Sequence, residues 1–336
     1  KLGEEPVLFS KVDLDYNSDL IQNYVENIGY FNATTVADSS SRRKTAKATY
    51  TVTLRKQYTI ESIKLPSDST VLSKEINNAM RRTLLKVGKP YNLQLIKDER
   101  SRIDARLKEK GFFYFDRDYI LFQVDFTVAN HKVALIMKIK EETPVVAQKQ
   151  YRINNITIFP NFTINDIINV KNDSALVYND FIIYDKEKMF KPKIYDRTLY
   201  FHNDDLYNRT NHNLSLNRLV TLGTFKFVKN QFTVVDGKEG YLDATYYLTP
   251  LPRKSIRLEV LAKTNSANYN GSEINMNWSN RNAFRGAELF TLSTFLGIET
   301  QFSGQYKGFN VYRYGGDASL IWPRFIVPFK ITSASG

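Results

Sequence analysis

Residues 93–113 read LQLIKDERSRIDARLKEKGFF, and the reading of this stretch decides the fold. Leu93, Ile96, Ile103 and Leu107 recur at helical spacing, with Lys97, Asp98, Glu99, Arg102, Arg106, Lys108 and Lys110 around the rest. Gly111 stands where a helix ends on a left-handed residue, and Phe112-Phe113 are expected to lead straight into a strand. The ending recurs. Leu20, Tyr24 and Ile28 precede Gly29-Tyr30-Phe31, and Leu216, Leu219 and Leu222 precede Gly223-Thr224-Phe225. Positions 29 and 111 are 82 residues apart and 111 and 223 are 112 apart, so the repeats are domain-sized.

Around Gly111 the chain carries a complete unit. Tyr58-Thr-Ile60-Glu-Ser-Ile63 reads as a strand closed by Pro66, and Ser67-Asp68-Ser69-Thr70 supplies N-cap chemistry. Leu72, Ile76, Met80 and Leu84 step by four along a first helix, broken by Gly88-Lys89-Pro90. After Gly111, Ile120, Phe122, Val124 and Phe126 form the inward face of one strand, and Val133, Leu135, Met137 and Ile139 that of its hairpin partner. The order is β-α-α-β-β. Tyr151-Arg-Ile153-Asn-Asn-Ile156 repeats the opening strand. The expected division is therefore 1–55 (lacking its first strand), 56–142, 149–250 with an irregular insertion at 165–202, and 253–336.

The last segment changes pattern. Ile256, Leu258, Val260 and Ala262 alternate with Arg257, Glu259 and Lys263; Ile274, Met276 and Trp278 alternate with Glu273, Asn275 and Asn277. Phe290, Leu292, Leu296 and Ile298 share one face, as do Tyr312, Tyr314, Leu320 and Trp322. Strands of about ten residues with this dyad pattern and no helix between them suit a transmembrane barrel, against a soluble β-sandwich.

Composition bounds the function. In 336 residues, 42% hydrophobic and 24% charged content is that of a folded chain, while 13% aromatic content, with 21 Tyr and 22 Phe, favours strands and membrane boundaries. There is no cysteine, which excludes disulfides, thiol nucleophiles and cysteine-held metal. The net charge of +12 is spread along the chain, and short runs such as Arg42-Arg43-Lys44 argue for solvated surface rather than a nucleic-acid footprint. No run of about 20 apolar residues forms a transmembrane helix, and no signal peptide is visible. Both termini read as cut edges.

Tandem β-α-α-β-β units with Gly-aromatic-Phe endings, followed by alternating strands, resemble the POTRA domains and barrel of the BamA/TamA superfamily of outer-membrane assembly factors. Gly3-Glu-Glu-Pro-Val-Leu8, Glu99-Arg-Ser-Arg-Ile103, Leu248-Thr-Pro250 and Asn280-Arg-Asn-Ala-Phe-Arg-Gly-Ala-Glu288 are most similar to its TamA-like lipoprotein branch, TamL. The resemblance implies an α+β fold: tandem POTRA repeats followed by the N-terminal strands of a transmembrane antiparallel β-barrel, which in the family closes about 16 strands. The family's late Arg-Gly-Phe/Tyr loop and the lipidated N-terminal cysteine have no counterpart here.

That resemblance further implies outer-membrane localisation with the POTRA domains in the periplasm. The expected activity is assembly, insertion or translocation by β-augmentation. Expected partners are nascent outer-membrane proteins, TamB-like or other periplasmic subunits and outer-membrane lipid, with no nucleic acid. Candidate client-binding positions are Tyr119, Leu121 and Gln123 on the repeat hairpin and Ser255, Ile256, Leu258 and Val260 on the first barrel strand. Gly29, Gly111, Phe113, Gly223 and Phe225 are the structural positions. The alternatives are a two-partner-type secretion pore and a soluble periplasmic scaffold.

No nucleophile–base–orienter set or phosphate loop is visible, so no enzyme, cofactor or metal site is expected. His202 with Asp204 and Asp205 fits no metal spacing, and Glu99, Arg100 and Asp104 read as a charged helix face. The sequons at Asn161, Asn172, Asn208 and Asn213 read as accidental, and Asp173-Ser174-Ala175 resembles a bacterial O-glycosylation signal of poor specificity.

Overall fold

The computed structural model describes residues 8–43, 45–128, 130–163, 175–264, 269–301 and 310–323. Gly3 to Val7, Asn172, and Asp173 with Ser174 lie outside them. The chain divides into two compact units, Lys1–Gln150 and Tyr151–Gly336.

The first unit opens with α1 (Leu14–Asn27), β1 (Thr34–Arg42) and β2 (Thr45–Thr53), the strands pairing only with each other among the described residues. Asp13 caps α1 by accepting the Tyr16 amide at 2.9 Å. Next come β3 (Thr59–Lys64), α2 (Val71–Met80), α3 (Leu93–Lys108), β4 (Ile120–Asp125) and β5 (Lys132–Ile139), the β-α-α-β-β order. Their sheet runs β3-β5-β4, with β5 parallel to β3 and antiparallel to β4. Ile60, Ile76, Ile103, Leu107, Phe112, Val133 and Leu135 fill one core between helices and sheet. Burying each such side chain stabilises by about 1.5–3 kcal/mol.

Three expectations change here. The first helix ends at Met80 instead of reaching Leu84, so Leu84 is exposed and Leu85 enters the core. Phe112-Phe113 do not run into a strand: a turn and a short 3-10 helix, Arg117–Tyr119, precede β4. Phe112 is fully buried and takes the core place, whereas Phe113 is half-buried against Tyr114 at 4.7 Å between ring centroids.

The second unit contains β6 (Arg152–Phe159), β7 (Leu176–Tyr178), β8 (Phe181–Ile183), α4 (Lys193–Thr198), α5 (Arg209–Thr221), β9 (Phe225–Val234) and β10 (Tyr241–Pro250). These strands make one sheet in the order β7-β8-β6-β10-β9. The insertion expected to be irregular instead extends the sheet. Its β8 pairs parallel with β6 and buries Phe181 and Ile183, apolar positions hidden within an Asp/Asn/Lys-rich stretch.

After Pro250 follow β11 (Lys254–Thr264), β12 (Tyr269–Asn280), β13 (Leu289–Gln301) and β14 (Asn310–Ile321), a separate antiparallel sheet in sequential order. Register puts like with like. Ile256 faces Trp278, Leu258 faces Met276 and Val260 faces Ile274; Ile274 then faces Leu296, which faces Tyr314. One sheet face is therefore continuously apolar, and it is bare: Ile256, Leu258, Val260, Leu296 and Tyr314 are exposed. On the other face Glu273 meets Lys263 at 2.6 Å and Arg313 at 3.4 Å, and Arg313 reaches Glu299 at 2.5 Å. Gly297 sits in register between Glu273 and Arg313, which lets those side chains approach over it.

Candidate functional sites: strand edges and the joints that hold them

The two outer strands of the β3-β5-β4 sheet differ. Along β3, residues 88–91 lie as a short extended cover: the Gly88 amide donates to Ile60 O at 2.8 Å, Ile60 N to Lys89 O at 2.9 Å and Tyr91 N to Tyr58 O at 2.9 Å. Segment 204–207 covers the start of β6 alike, through Ile153 N to Asp205 O and Tyr207 N to Tyr151 O, both 2.9 Å. In each case a buried Tyr precedes the Asn that caps the next helix, Tyr91-Asn92 and Tyr207-Asn208. The Tyr-Asn pair is a second repeat signal that the Gly-aromatic pattern hid.

This cover reaches only the start of β3, while β4, the other outer strand, carries none among the described residues. Lys140 N donates to Tyr119 O at 3.0 Å, so by the antiparallel alternation Leu121 and Gln123 direct main-chain groups to β5. The outward N–H and C=O groups then belong to Ile120, Phe122 and Val124. Leu121 and Gln123 instead line a shallow groove with Lys138, Ile139, Lys140, Glu141 and Glu142. In the second unit β9 takes the equivalent outer place, starting at buried Phe225.

β11 is the second open edge, paired only with β12 among the described residues. Arg281 N donates to Arg253 O at 2.8 Å, which sets the odd residues toward β12. Ile256, Leu258 and Val260 therefore combine outward main-chain groups with exposed apolar side chains. Ser255 differs, being tied inward to Ser279 Oγ at 2.8 Å and Arg281 at 3.0 Å.

Glycine joints hold these edges. Gly29, Gly111 and Gly223 all have left-handed backbones, φ 97°, 91° and 66°. Gly29 O accepts the Tyr58 amide at 2.8 Å and Gln57 Nε2 donates to Ile28 O at 2.8 Å; Gln150 Nε2 donates likewise to Lys110 O at 2.8 Å. Phe31 then packs on Tyr58, Tyr91 and Phe126 at 5.2, 4.9 and 4.7 Å, and Phe126 lies beyond β4 rather than in it.

The charged face expected on α3 is partly core. Glu99 is fully buried, accepting from Arg102 Nε at 2.8 Å and Leu84 N at 3.1 Å, while Arg102 also donates to Ala79 O at 2.9 Å. Burial raises the Glu99 pKa, but the hydrogen bonds from Arg102, Leu84 and Thr83 outweigh it and hold the carboxyl below its usual range. Asp104, also buried, pairs with Lys108 at 2.9 Å, and Arg100 reaches Asp118 at 2.8 Å.

A third joint ties the β12–β13 turn, residues 281–288, to residues 185–191. Asn282 is buried, donating to Met189 O at 2.8 Å and accepting from Ala287 N at 3.0 Å. Buried Glu288 accepts from Phe284 N and Gly286 N at 3.1 and 2.9 Å, and Lys191 N donates to Arg285 O at 2.7 Å. His202 meets Asp180 at 2.9 Å and its amide donates to Asp205, a loop-turn role; no cluster suited to a metal occurs among the described residues.

These joints and edges belong to a chain whose central repeat is recognisable. Residues 58–142 match the POTRA family model, described as surface antigen variable number repeat. No curated protein matches the chain significantly. Among solved structures, the chain is similar to the BamA POTRA3-5 fragment of Haemophilus influenzae, at 17% identity over 71% of this chain and 80% of that one, TM-score 0.39. BamA from Haemophilus ducreyi lacking POTRA domains 1-3 gives 11% identity, 78% and 47% coverage and TM-score 0.44. CdiB from Acinetobacter baumannii gives 16%, 73% and 40%, with TM-score 0.35. The chain thus spans less than half of these last two structures, and likeness at this level carries no inference about function. No described helix is long and apolar enough to cross a membrane, which leaves crossing by strands untouched.

Proposed function

We propose that this chain is part of an outer-membrane assembly or transport factor of the Omp85/BamA superfamily. Its POTRA repeats lie in the periplasm and β11–β14 form part of a transmembrane barrel. The observation that carries the reading is β11, an edge strand with outward main-chain groups that borders a four-strand sheet with a bare apolar face, in a chain whose residues 58–142 match the POTRA model. Open edges are unsustainable in hydrocarbon, so strands additional to these four close the sheet in the bilayer. β11, the first of these strands, lies at the seam where that closure is made, and an incoming strand adds to it there, or to β4 and β9 in the repeats, by main-chain hydrogen bonds that depend little on its sequence. Such an edge suits a factor acting on many nascent outer-membrane proteins. The sequence resemblance favours the TamL branch, with a TamB-like periplasmic partner.

A photo-crosslinker at Leu258, at Leu121 and, as control, at Leu296 on interior β13 tests this with a barrel-strand peptide. The expected result is adducts at Leu258 and Leu121 and none at Leu296. Equal adducts at all three positions, or none at either edge, would refute strand addition.

A further inference from the structure

The basic residues that the sequence scatters are gathered by the fold at one end of the β11–β14 sheet. Residues 185–193, 253–254 and 281–288 meet there through three contacts: Lys191 N to Arg285 O at 2.7 Å, Asn282 Nδ2 to Met189 O at 2.8 Å and Arg281 N to Arg253 O at 2.8 Å. Lys188, Lys191, Lys193, Arg253, Lys254 and Arg285 are all exposed. The acids nearby are largely engaged. Asp185 accepts from Met189 N and Phe190 N, and Glu288 is buried against its own turn, leaving Glu187 as the exposed carboxylate of these segments. Toward the other end, Lys263 and Arg313 are matched by Glu273 and Glu299.

Aromatic residues mark the same end. Both tryptophans of the chain sit there, Trp278 two residues before β12 ends and Trp322 directly after β14. Phe290 packs edge-on to Trp278 at 5.8 Å, and Phe284 is exposed at the tip of the turn. Indole rings favour the boundary between hydrocarbon and water, and lysine and arginine beyond them favour anionic headgroups.

We infer that this end is an interfacial collar that binds the phosphates of anionic phospholipids, seating the sheet at a fixed depth. The inference rests on the membrane reading above: the bare apolar face sets the hydrocarbon side, and the collar lies at its rim. The chemistry is that of a lipid surface rather than nucleic acid, because the cations border exposed apolar strands instead of lining a polar groove.

The protein carrying the strands that close the sheet, purified in detergent, is diluted into vesicles of phosphatidylcholine alone or of phosphatidylcholine with phosphatidylglycerol, and binding is read by flotation. The test variant carries Lys188→Gln, Lys191→Gln, Lys193→Gln and Arg285→Asn, the last chosen because position 285 has φ 68° and Asn tolerates it. A control removes the same charge from exposed residues of the first unit, Arg81→Gln, Lys86→Gln, Lys97→Gln and Arg106→Gln. Each basic side chain at a surface is worth roughly fivefold in partitioning, so the four-residue test variant should lose about 600-fold on phosphatidylglycerol vesicles at low salt. The control should lose little, and high salt should erase the difference. Binding to phosphatidylcholine should be unchanged in both. If the chain enters both vesicle types equally, or the control loses as much as the test variant, the collar is wrong while the membrane reading stands. If it enters neither, both fall. If DNA duplex, added instead of vesicles, binds with the same four-residue dependence and phosphatidylglycerol does not, the patch serves nucleic acid and the proposal is overturned.

Discussion

Substituting Gly29 by Ala should open the joint ahead of the repeat at residues 58–142, and the structure sets the size of the effect. Gly29 has φ 97°, so any Cβ is strained there by about 1–2 kcal/mol. That Cβ would also lie 3.0 Å from Tyr91 O and 3.3 Å from Tyr58 O, backbone atoms of two residues joined by the Tyr91 N to Tyr58 O bond. They cannot swing aside as a side-chain tip would. Relief requires moving the loop away, which weakens the Tyr58 N to Gly29 O bond, worth about 1 kcal/mol, and the Phe31 ring contacts, worth about 0.5–1.5 kcal/mol. The total expected loss is about 2–4 kcal/mol. Gly88 provides the comparison: φ is 79°, but a Cβ there meets nothing within 4 Å, so Gly88→Ala should cost only the strain, about 1–2 kcal/mol. Urea unfolding of residues 1–150, followed by tyrosine fluorescence, measures both. Limited proteolysis at 54–57 should accelerate in Gly29→Ala alone. Equal losses in the two variants, with unchanged proteolysis, would show that close approach to Tyr91 and Tyr58 does not govern this joint.

Glu99→Ala should destabilise the same unit by about 2–4 kcal/mol, below the range for a fully buried pair because Arg102 keeps 25% exposure; an unchanged urea midpoint contradicts this. Because the folded Glu99 pKa lies below its unfolded value of about 4.3, its contribution is full above that pH and is lost as pH falls through the folded value. Glu99→Gln should flatten this acid limb, and an identical pH profile would count against it. In vesicles, single cysteines introduced at Ile256, Leu258, Val260, Ile274 and Met276 should resist a water-soluble thiol reagent, while those at Arg257, Glu259, Asn275 and Asn277 react. The parent has no cysteine to interfere, and equal labelling at both parities would place the sheet outside lipid.

Periodicity alone determined the elements whose partners are near in sequence. The Ile103–Leu107–Gly111 stripe and stop, the two hairpins β4–β5 and β9–β10, and the dyad pattern of β11 and β12 are local, because helix and strand periods set which side chains share a face. Tertiary structure decided what depends on distant partners. Phe181 and Ile183 look like loop residues until β8 finds β6, and Glu99 looks like a surface acid until Arg102 and the Leu84 amide enclose it. The difference between the two outer strands comes from a cover at the start of β3 supplied by residues 88–91, some 30 positions away, a pairing that leaves no periodic trace. The basic collar was invisible for the same reason. Lys191 and Arg285 stand 94 positions apart, and only the hydrogen bonds of the 281–288 turn bring their charges to one end of the sheet.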